Sequence, residues 1–251
     1  MIKVVVGCCG FPTSRKEYYV SFEAVELQDT FYNPPNPEKL RKLREEAPEN
    51  FRFSMKAWQV ITHPPDSPTW RKSRFKLPNE VKSNYGYLKP TKENLEAWEL
   101  VRKSAKVLRA SYVILQAPPS FNYSPENLSN LKTFLDLIRE KEFRIGIELR
   151  GDWLNHQEEL RKILEDYETV THVTDPFKWF PPITRFTSYY FRLHGIGPRE
   201  VNYRYKYSAE DLRKLKNLLR SLEGALEAYV MFNNVYMRED ALYFKELLQK
   251  D

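Results

Sequence analysis

The stretch FRFSMKA, residues 51–57, alternates between two kinds of side chain. Its odd-numbered positions are apolar, and its even-numbered positions carry the polar side chains of Arg52, Ser54 and Lys56. Parallel strands that helices cover on both faces normally consist of unbroken apolar residues. Residues 51–57 therefore require a fold in which one face of the strand packs against helices while the other faces an enclosed polar space. A closed barrel is such a fold.

Short apolar segments separated by helical patterns occur eight times along the chain. The predicted strands are residues 3–8, 24–28, 51–57, 112–117, 144–149, 170–174, 189–194 and 228–233. Between them, apolar residues recur at the i, i+3, i+4 spacing of amphipathic helices. Eight strand-then-helix units in 251 residues predict an α/β fold, a single (β/α)8 TIM barrel over residues 1–251 with a long basic loop at about 64–90. A doubly wound sheet is the alternative, but residues 7–12, GCCGFP, lack its glycine-rich first turn.

Three of the predicted helices carry recognisable start signals. Thr91 is in position to cap one of them, and Ser124 precedes Pro125 at the start of another. Ser208 is followed three residues later by Asp211, a variant of the capping box. These signals place helix starts after the third, fourth and seventh predicted strands.

The composition is that of a globular protein with a mild basic surplus. The chain has 40 Lys and Arg against 34 Asp and Glu, a net charge of +6, which favours an anionic partner without identifying one. The hydrophobic fraction is 41%, yet no segment approaches the about 18 apolar residues of a membrane span. The N-terminus lacks the features of a secretion signal. We therefore expect a soluble, cytoplasmic protein without a membrane partner.

The two cysteines, Cys8 and Cys9, are adjacent in the sequence. A disulfide between neighbours is strained, so we expect free thiols in a reducing compartment. No histidine can be assigned to either thiol from spacing, and ordinary buried cysteines are the preferred interpretation over a nucleophile. High charge content, 8 glycines and 17 prolines indicate a heat-adapted, thermophilic source.

Strand parity predicts which side chains enter the barrel. If the apolar positions face the helices, the inward positions are Glu26, Gln28, Arg52, Ser54, Lys56, Gln116, Arg144, Gly146, Glu148, Arg150, Arg192, His194 and Asn233. Most of them fall late in their strands, and late positions gather at the C-terminal mouth, where TIM barrels place their active sites. Arg52 and Arg144 come early and are assigned to the barrel floor.

Six motifs in order resemble the YecE-like family, catalogued as domain of unknown function 72. They are VELQDTFYNPP, FRFSMKAWQVITH, LQAPPSF, IGIELRGDW, FRLHG and YVMFNN, and the resemblance runs from Gly7 to about Leu248. It implies a TIM barrel. The likeness of that family to endonuclease IV and to xylose-isomerase-like enzymes implies phosphodiester or sugar chemistry by analogy. The chain departs from the family pattern at Cys8 and Cys9, and segment 64–90 is longer and more basic than expected.

The inward ionisable residues form the candidate site. We expect Arg150, Arg192 and Lys56 to hold an anion, because guanidinium groups bind phosphate or carboxylate in a bidentate manner. Either Glu148, which is preferred, or Glu26 is the candidate general base, and the candidate acid or orienting group is His194. Further ligand-binding candidates at the mouth are Gln116, Asn233, Tyr32 and His63. The alternative interpretation is a structural ion network that fills the barrel.

Four histidines are too few for a multi-zinc centre, while a single divalent ion on Glu148, Asp175 and His194 stays open. Two loops interleave aromatic and basic residues as single-stranded nucleic-acid surfaces do, although a solvated loop explains them equally well. Their candidate contacts are Trp70, Arg71, Arg74, Tyr203, Arg204 and Tyr205.

Three functional hypotheses follow. The first is an enzyme that acts on a phosphate-bearing ligand, a nucleic acid or a sugar phosphate, by acid–base chemistry without a required cofactor. The second is a non-catalytic module for single-stranded nucleic acid. The third is a metal-dependent sugar isomerase. The substrate and the oligomeric state stay open.

Overall fold

The computed structural model describes residues 2–179, 188–222 and 224–250. Its strands are β1 (Lys3–Cys9), β2 (Ala24–Leu27), β3 (Arg52–Lys56), β4 (Ala110–Gln116), β5 (Arg144–Glu148), β6 (Val170–Thr174), β7 (Ser188–Leu193) and β8 (Glu227–Phe232). They pair in parallel in sequence order, and β8 pairs with β1 to close a barrel. The predicted TIM barrel is confirmed, with strand boundaries within two residues of those expected.

Helices surround this barrel. They are α1 (Arg15–Ser21), α2 (Asp29–Tyr32), α3 (Pro37–Glu46), α4 (Lys92–Leu108), α5 (Pro125–Leu137), α6 (Gln157–Leu164), α7 (Ala209–Arg220) and α8 (Met237–Gln249). Between β6 and β7, the described residues 175–179 contain no helix. None of the helices in the described ranges is long and apolar enough to cross a membrane.

The predicted start signals cap their helices. The side chain of Thr91 accepts a hydrogen bond from the backbone N–H of Asn94 at the start of α4. Ser124 does the same at α5, with Pro125 in the first turn. Ser208 and Asp211 form the complete capping box of α7. These local interactions satisfy N–H groups that a helix start otherwise leaves free.

The two faces of β3 separate as the alternation predicts. Phe53 and Met55 are fully buried in the outer apolar layer, in the same cluster as Leu40 of α3 and Val101 of α4. The opposite face, which carries Lys56, points into the barrel. The charged side of residues 51–57 is therefore enclosed by the other strands.

Apolar and tyrosine side chains fill the middle of the barrel. The ring centroids of Tyr112 and Tyr190 lie 4.8 Å apart, and those of Tyr190 and Tyr229 lie 5.4 Å apart in a stacked arrangement. Below them, Arg52 donates to the Tyr229 hydroxyl and pairs with Glu227 at the N-terminal end of β8. The barrel is thus a packed core, and its inward polar groups segregate to a floor and a mouth.

The cysteines are free and buried, as predicted. Cys8 faces outward, where its Sγ donates to the Met237 carbonyl, and burial raises its pKa to about 12. Cys9 faces the barrel interior, and burial raises the pKa of its thiol well above its usual value. Both groups are therefore protonated thiols, a state in which cysteine is a poor nucleophile.

The basic loop at 64–90 is partly packed. It contains two short 3-10 turns, Pro68–Lys72 and Asn79–Asn84. Its apolar side chains lie against the outer core, and Leu88 is fully buried. Packing of this side leaves the cationic side chains of the loop on its exposed surface.

Candidate active site

Arg192 is the centre of an ion network at the C-terminal mouth. Its Nη2 lies 3.0 Å from Oε1 of Glu26, and its Nη1 binds Oε2 of Glu148. The same Nη1 donates to the side-chain oxygen of Gln116 at 3.1 Å. Four strands, β2, β4, β5 and β7, therefore deliver side chains to one point. The guanidinium is 1% exposed, so the carboxylates and not solvent surround its charge.

Glu26 is saturated by its neighbours. Besides Arg192, its carboxylate accepts hydrogen bonds from the Tyr190 hydroxyl at 2.9 Å and from Gln28 Nε2. Tyr190 is a site residue that strand parity should have revealed, since it shares the face of Arg192 and His194. It was passed over because a tyrosine counts as apolar in the alternation. With this many partners, the Glu26 carboxylate is fixed in position.

Glu148 is held ionised by two arginines. Burial alone would raise its pKa, but Arg192 and Arg150 outweigh that effect and hold the pKa well below its usual range. Arg150 contributes Nη2 at 2.8 Å and Nε at 3.2 Å to Oε1. A carboxylate this acidic is a weak proton acceptor near neutral pH. The geometry therefore disfavours Glu148 as the general base.

Asp175 and His194 form a carboxylate–imidazole pair beside this network. Oδ2 of Asp175 lies 3.8 Å from Nδ1 of His194 and accepts its backbone N–H at 2.9 Å. Burial raises the pKa of Asp175 to about 6, although the N–H groups of His194 and Phe177 stabilise its ionised form. Burial lowers the pKa of His194 to about 3, so its imidazole is neutral.

The Nε2 atom of His194 has no hydrogen-bond partner among the described residues, and it lies 3.9 Å from Oε1 of Glu148. An unpaired polar atom in a buried side chain costs free energy. Nε2 itself is buried, while the His194 side chain borders a cavity.

That cavity has a volume of about 370 Å³ and opens where β5, β6 and β7 end. Its ionisable lining residues among those described are Glu148, Arg150, Asp175, Lys178, His194, Arg199 and Glu200. Nε of Arg150 also lies 3.4 Å from Oε1 of Glu200. Nζ of Lys178 donates to the backbone carbonyls of Arg199 and Glu200. Sequence analysis missed the 196–201 loop because no periodicity marks it.

Lys56 is buried beside the network without a carboxylate partner among the described residues. Its Nζ lies 3.6 Å from the centroid of the Phe31 ring. Burial lowers its pKa to about 7, and Arg192 acts in the same direction. The two glutamates and two arginines of the network already balance in charge, so Lys56 carries the surplus positive charge.

The remaining predicted residues divide between the mouth and its rim. His63 is buried against Phe31, bonds Thr62 through Nδ1, and has a pKa that burial lowers to about 3. Asn233 follows β8 and is half-buried, while Tyr32 lies on the outer side of Phe31.

The two aromatic–basic loops differ. The Tyr203 ring, 45% exposed, meets the His194 ring edge-on, and Arg204 is exposed. Tyr205 is occupied, since its hydroxyl donates to Asp211. Trp70 bonds the Pro64 carbonyl and packs on the core, while Arg71 and Arg74 are exposed. Each loop therefore contributes some free side chains and some structural ones.

Metal ligation by Glu148, Asp175 and His194 finds little support in this geometry. Within the described ranges, no three His, Cys, Asp or Glu side chains are grouped so that they could hold an ion. Oε1 of Glu148 and Nη2 of Arg150 are 2.8 Å apart, so a cation there would displace a bound guanidinium.

Comparisons with known proteins agree with the motifs. Proteins with curated descriptions provide no match. The chain is similar to a DUF72 family protein from Enterococcus faecalis V583, with 22% identity over 100% of this chain and 99% of that one and a TM-score of 0.72. It is also similar to a DUF72 family protein from Thermotoga maritima MSB8, with 25% identity over 99% of this chain and 100% of that one and a TM-score of 0.70. A xylose isomerase domain containing protein from Salmonella typhimurium LT2 shares the fold, with 14% identity over 99% of this chain and 97% of that one and a TM-score of 0.60. The profile described as "Protein of unknown function DUF72" matches residues 12–251. The chain therefore belongs to the DUF72 family, the family that its six sequence motifs predicted.

Proposed function

We propose that this protein is an enzyme that acts on a phosphate-bearing ligand, a nucleic acid or a sugar phosphate, by acid–base chemistry at the C-terminal mouth. One observation carries the proposal: Asp175, with a pKa of about 6, adjoins the neutral, unpaired imidazole of His194 in the cavity that Arg150 lines. A carboxyl group with a pKa near neutrality can exchange a proton at working pH. Glu148, by contrast, stays ionised.

The proposed roles fall into two kinds: some residues transfer the proton or bind the ligand, and others hold these residues in position. Asp175 is the proton acceptor, and the neutral imidazole of His194 lies beside it. Arg150 offers Nη1, which makes no hydrogen bond to the described residues, and Arg199 is exposed at the rim. Guanidinium groups suit a phosphate in charge and geometry. Arg192, Glu26 and Glu148 form the frame that holds Arg150 in place.

The chemistry that we propose needs no metal. The isomerase-like alternative rests on fold likeness, and the ligand trio that it would use includes the arginine-bound Glu148. A cytoplasmic location is likewise a proposal, supported by two free thiols. The nucleic-acid alternative is favoured by the exposed cations of loop 64–90.

The proposal predicts that kcat/KM decreases at acidic pH as Asp175 becomes protonated. Since only ionised Asp175 accepts a proton, kcat/KM should fall about tenfold per pH unit below pH about 6. Asp175→Asn should lose at least about 100-fold in kcat/KM. Turnover of a panel of sugar phosphates, nucleotides and single-stranded oligonucleotides, followed by ³¹P NMR, provides the measurement.

Asp136→Asn is the matched control, because Asp136 is an exposed carboxylate on α5 that pairs with Arg139. It should keep wild-type rates and the same decrease in kcat/KM at acidic pH. A panel without turnover, or an Asp175→Asn protein of wild-type activity, would contradict the proposal. Turnover that EDTA abolishes and Mg²⁺ or Mn²⁺ restores would instead support the metal-dependent alternative.

A further inference from the structure

We propose that a second, basic groove on the same face of the barrel binds single-stranded nucleic acid and guides it to the mouth. This inference rests on the proposed function and narrows its ligand to a polymer of phosphates. The groove begins at Gly10 and Gln28, directly after β1 and β2. It therefore lies at the C-terminal ends of the strands, as the Asp175 cavity does.

The groove is large and positively charged. Its volume is about 930 Å³, between α1, α3 and the 64–90 loop. Lys39, Lys72 and Arg74 line it with exposed side chains that form no ion pair with any described residue. Asp29 is the carboxylate among the described lining residues, so cations predominate. A polyanion would gain favourable contacts with these three cations without displacing a carboxylate.

The cations are presented on an ordered surface. The backbone N–H of Arg74 donates to Oδ1 of Asn33 at 2.8 Å, which ties the basic loop to the segment after α2. Lys72 Nζ lies 5.1 Å from the centroid of the Tyr32 ring. The loop backbone that carries these two side chains is therefore anchored to the barrel rim, which lowers the entropy cost of ordering the loop on binding.

Aromatic side chains distinguish this groove from a plain anion site. Phe11 and Tyr32 both line it and are half-buried, so part of each ring is accessible. Accessible rings beside cations suit unpaired bases, which stack on aromatic faces while their phosphates meet the charges. Bases of a duplex are already stacked, so the groove favours single strands.

Gln28 connects the groove with the mouth. It lines the groove, and its Nε2 hydrogen-bonds Glu26 of the Arg192 network. A chain of nucleotides lying along the groove would thus pass beside the network that borders the cavity of the proposed chemistry.

The test is fluorescence anisotropy with a fluorescein-labelled single-stranded DNA of about 12 nucleotides. Lys72→Gln/Arg74→Gln should weaken binding at least about tenfold and reduce the slope of log K against log salt by about 1.4, at about 0.7 per lost phosphate contact. Lys132→Gln/Lys162→Gln removes the same charge from exposed positions on α5 and α6 and should bind as wild type. Circular dichroism checks that each variant is folded.

Tyr32→Leu separates nucleic acid from other polyanions. The substitution should weaken oligonucleotide binding at least about fivefold because a base loses its stacking surface, while the binding of inorganic polyphosphate stays unchanged. Three results would overturn the inference: no saturable binding at low salt, equal losses in both double variants, or a tighter complex with duplex DNA. Asp175→Asn should bind the oligonucleotide normally, so a failure of the catalytic proposal would be visible separately from a failure of the groove.

Discussion

Replacing Arg192 with methionine should lower the free energy of unfolding by about 3–5 kcal/mol at pH 7, because removing one partner from a buried ion network leaves charges unpaired. Arg192 contacts Glu26 and Glu148 together, and both carboxylates are buried. Methionine restores much of the volume but none of the charge. Urea denaturation of the variant and the wild type measures the difference.

The loss should depend on pH in a defined direction. In the wild type, the lowered pKa of Glu148 contributes stability above the ordinary pKa of a glutamate, and this contribution is lost as pH falls. In Arg192→Met, the Glu148 carboxylate loses the largest influence that lowers its pKa and relieves its burial by taking up a proton. The gap between variant and wild type should therefore be widest near pH 7 and narrower at pH 4.

The triple variant Glu26→Gln/Glu148→Gln/Arg192→Met is the control for this effect. Removing Glu26, Glu148 and Arg192 together leaves no buried charge unpaired among these three residues, and Arg150 keeps its contact with Glu200, so most of the lost stability should return. If Arg192→Met alone is as stable as the wild type, the carboxylates are not held by this guanidinium and the network described above is wrong.

Replacing Lys56 with methionine should have the opposite effect and stabilise the protein by about 2–4 kcal/mol at pH 6.5. A pKa lowered from 10.5 to about 7 means that burial penalises the ammonium by about 4–5 kcal/mol when it is fully charged, an upper limit on the gain. Methionine fills the same space over Phe31 without a charge. Denaturant unfolding again provides the measurement.

The sign of the pH dependence follows from the lowered pKa of Lys56. The unfolded chain keeps this proton up to pH about 10, whereas the folded protein releases it near pH 7. The penalty is therefore complete below pH 7 and fades as pH rises toward 10, so the advantage of Lys56→Met should shrink over that range. Lys103→Met, at an exposed position on α4, should change stability by less than about 0.5 kcal/mol at any of these pH values. A destabilised Lys56→Met protein would refute the expectation.

A buried charge that lowers stability needs another reason to be present. The surplus positive charge of Lys56 would be compensated by an anionic ligand at the mouth. Such a ligand should raise the pKa of this ammonium, and Lys56→Met should bind inorganic phosphate more weakly than the wild type. Stability sacrificed at a functional site is a common trade-off.

The fold was predictable because its signals are local. The alternation in residues 51–57, the eight apolar segments and the caps at Ser124 and Ser208 each act over a few residues, and the structure agrees with all of them. Strand parity even selected the side chains that meet at the mouth. Tyr190 was missed because its ring counted as apolar. The 196–201 loop was missed because its residues follow neither a helical nor a strand periodicity.

The sequence by itself determined the barrel, the face on which each strand residue lies and the family. The proton affinities were decided only by the tertiary structure. Glu148 and Asp175 are both carboxyl groups at strand ends, yet two arginines hold one ionised while burial raises the pKa of the other to about 6. A pKa depends on charges and solvent within a few ångströms, and here those neighbours come from strands far apart in the chain.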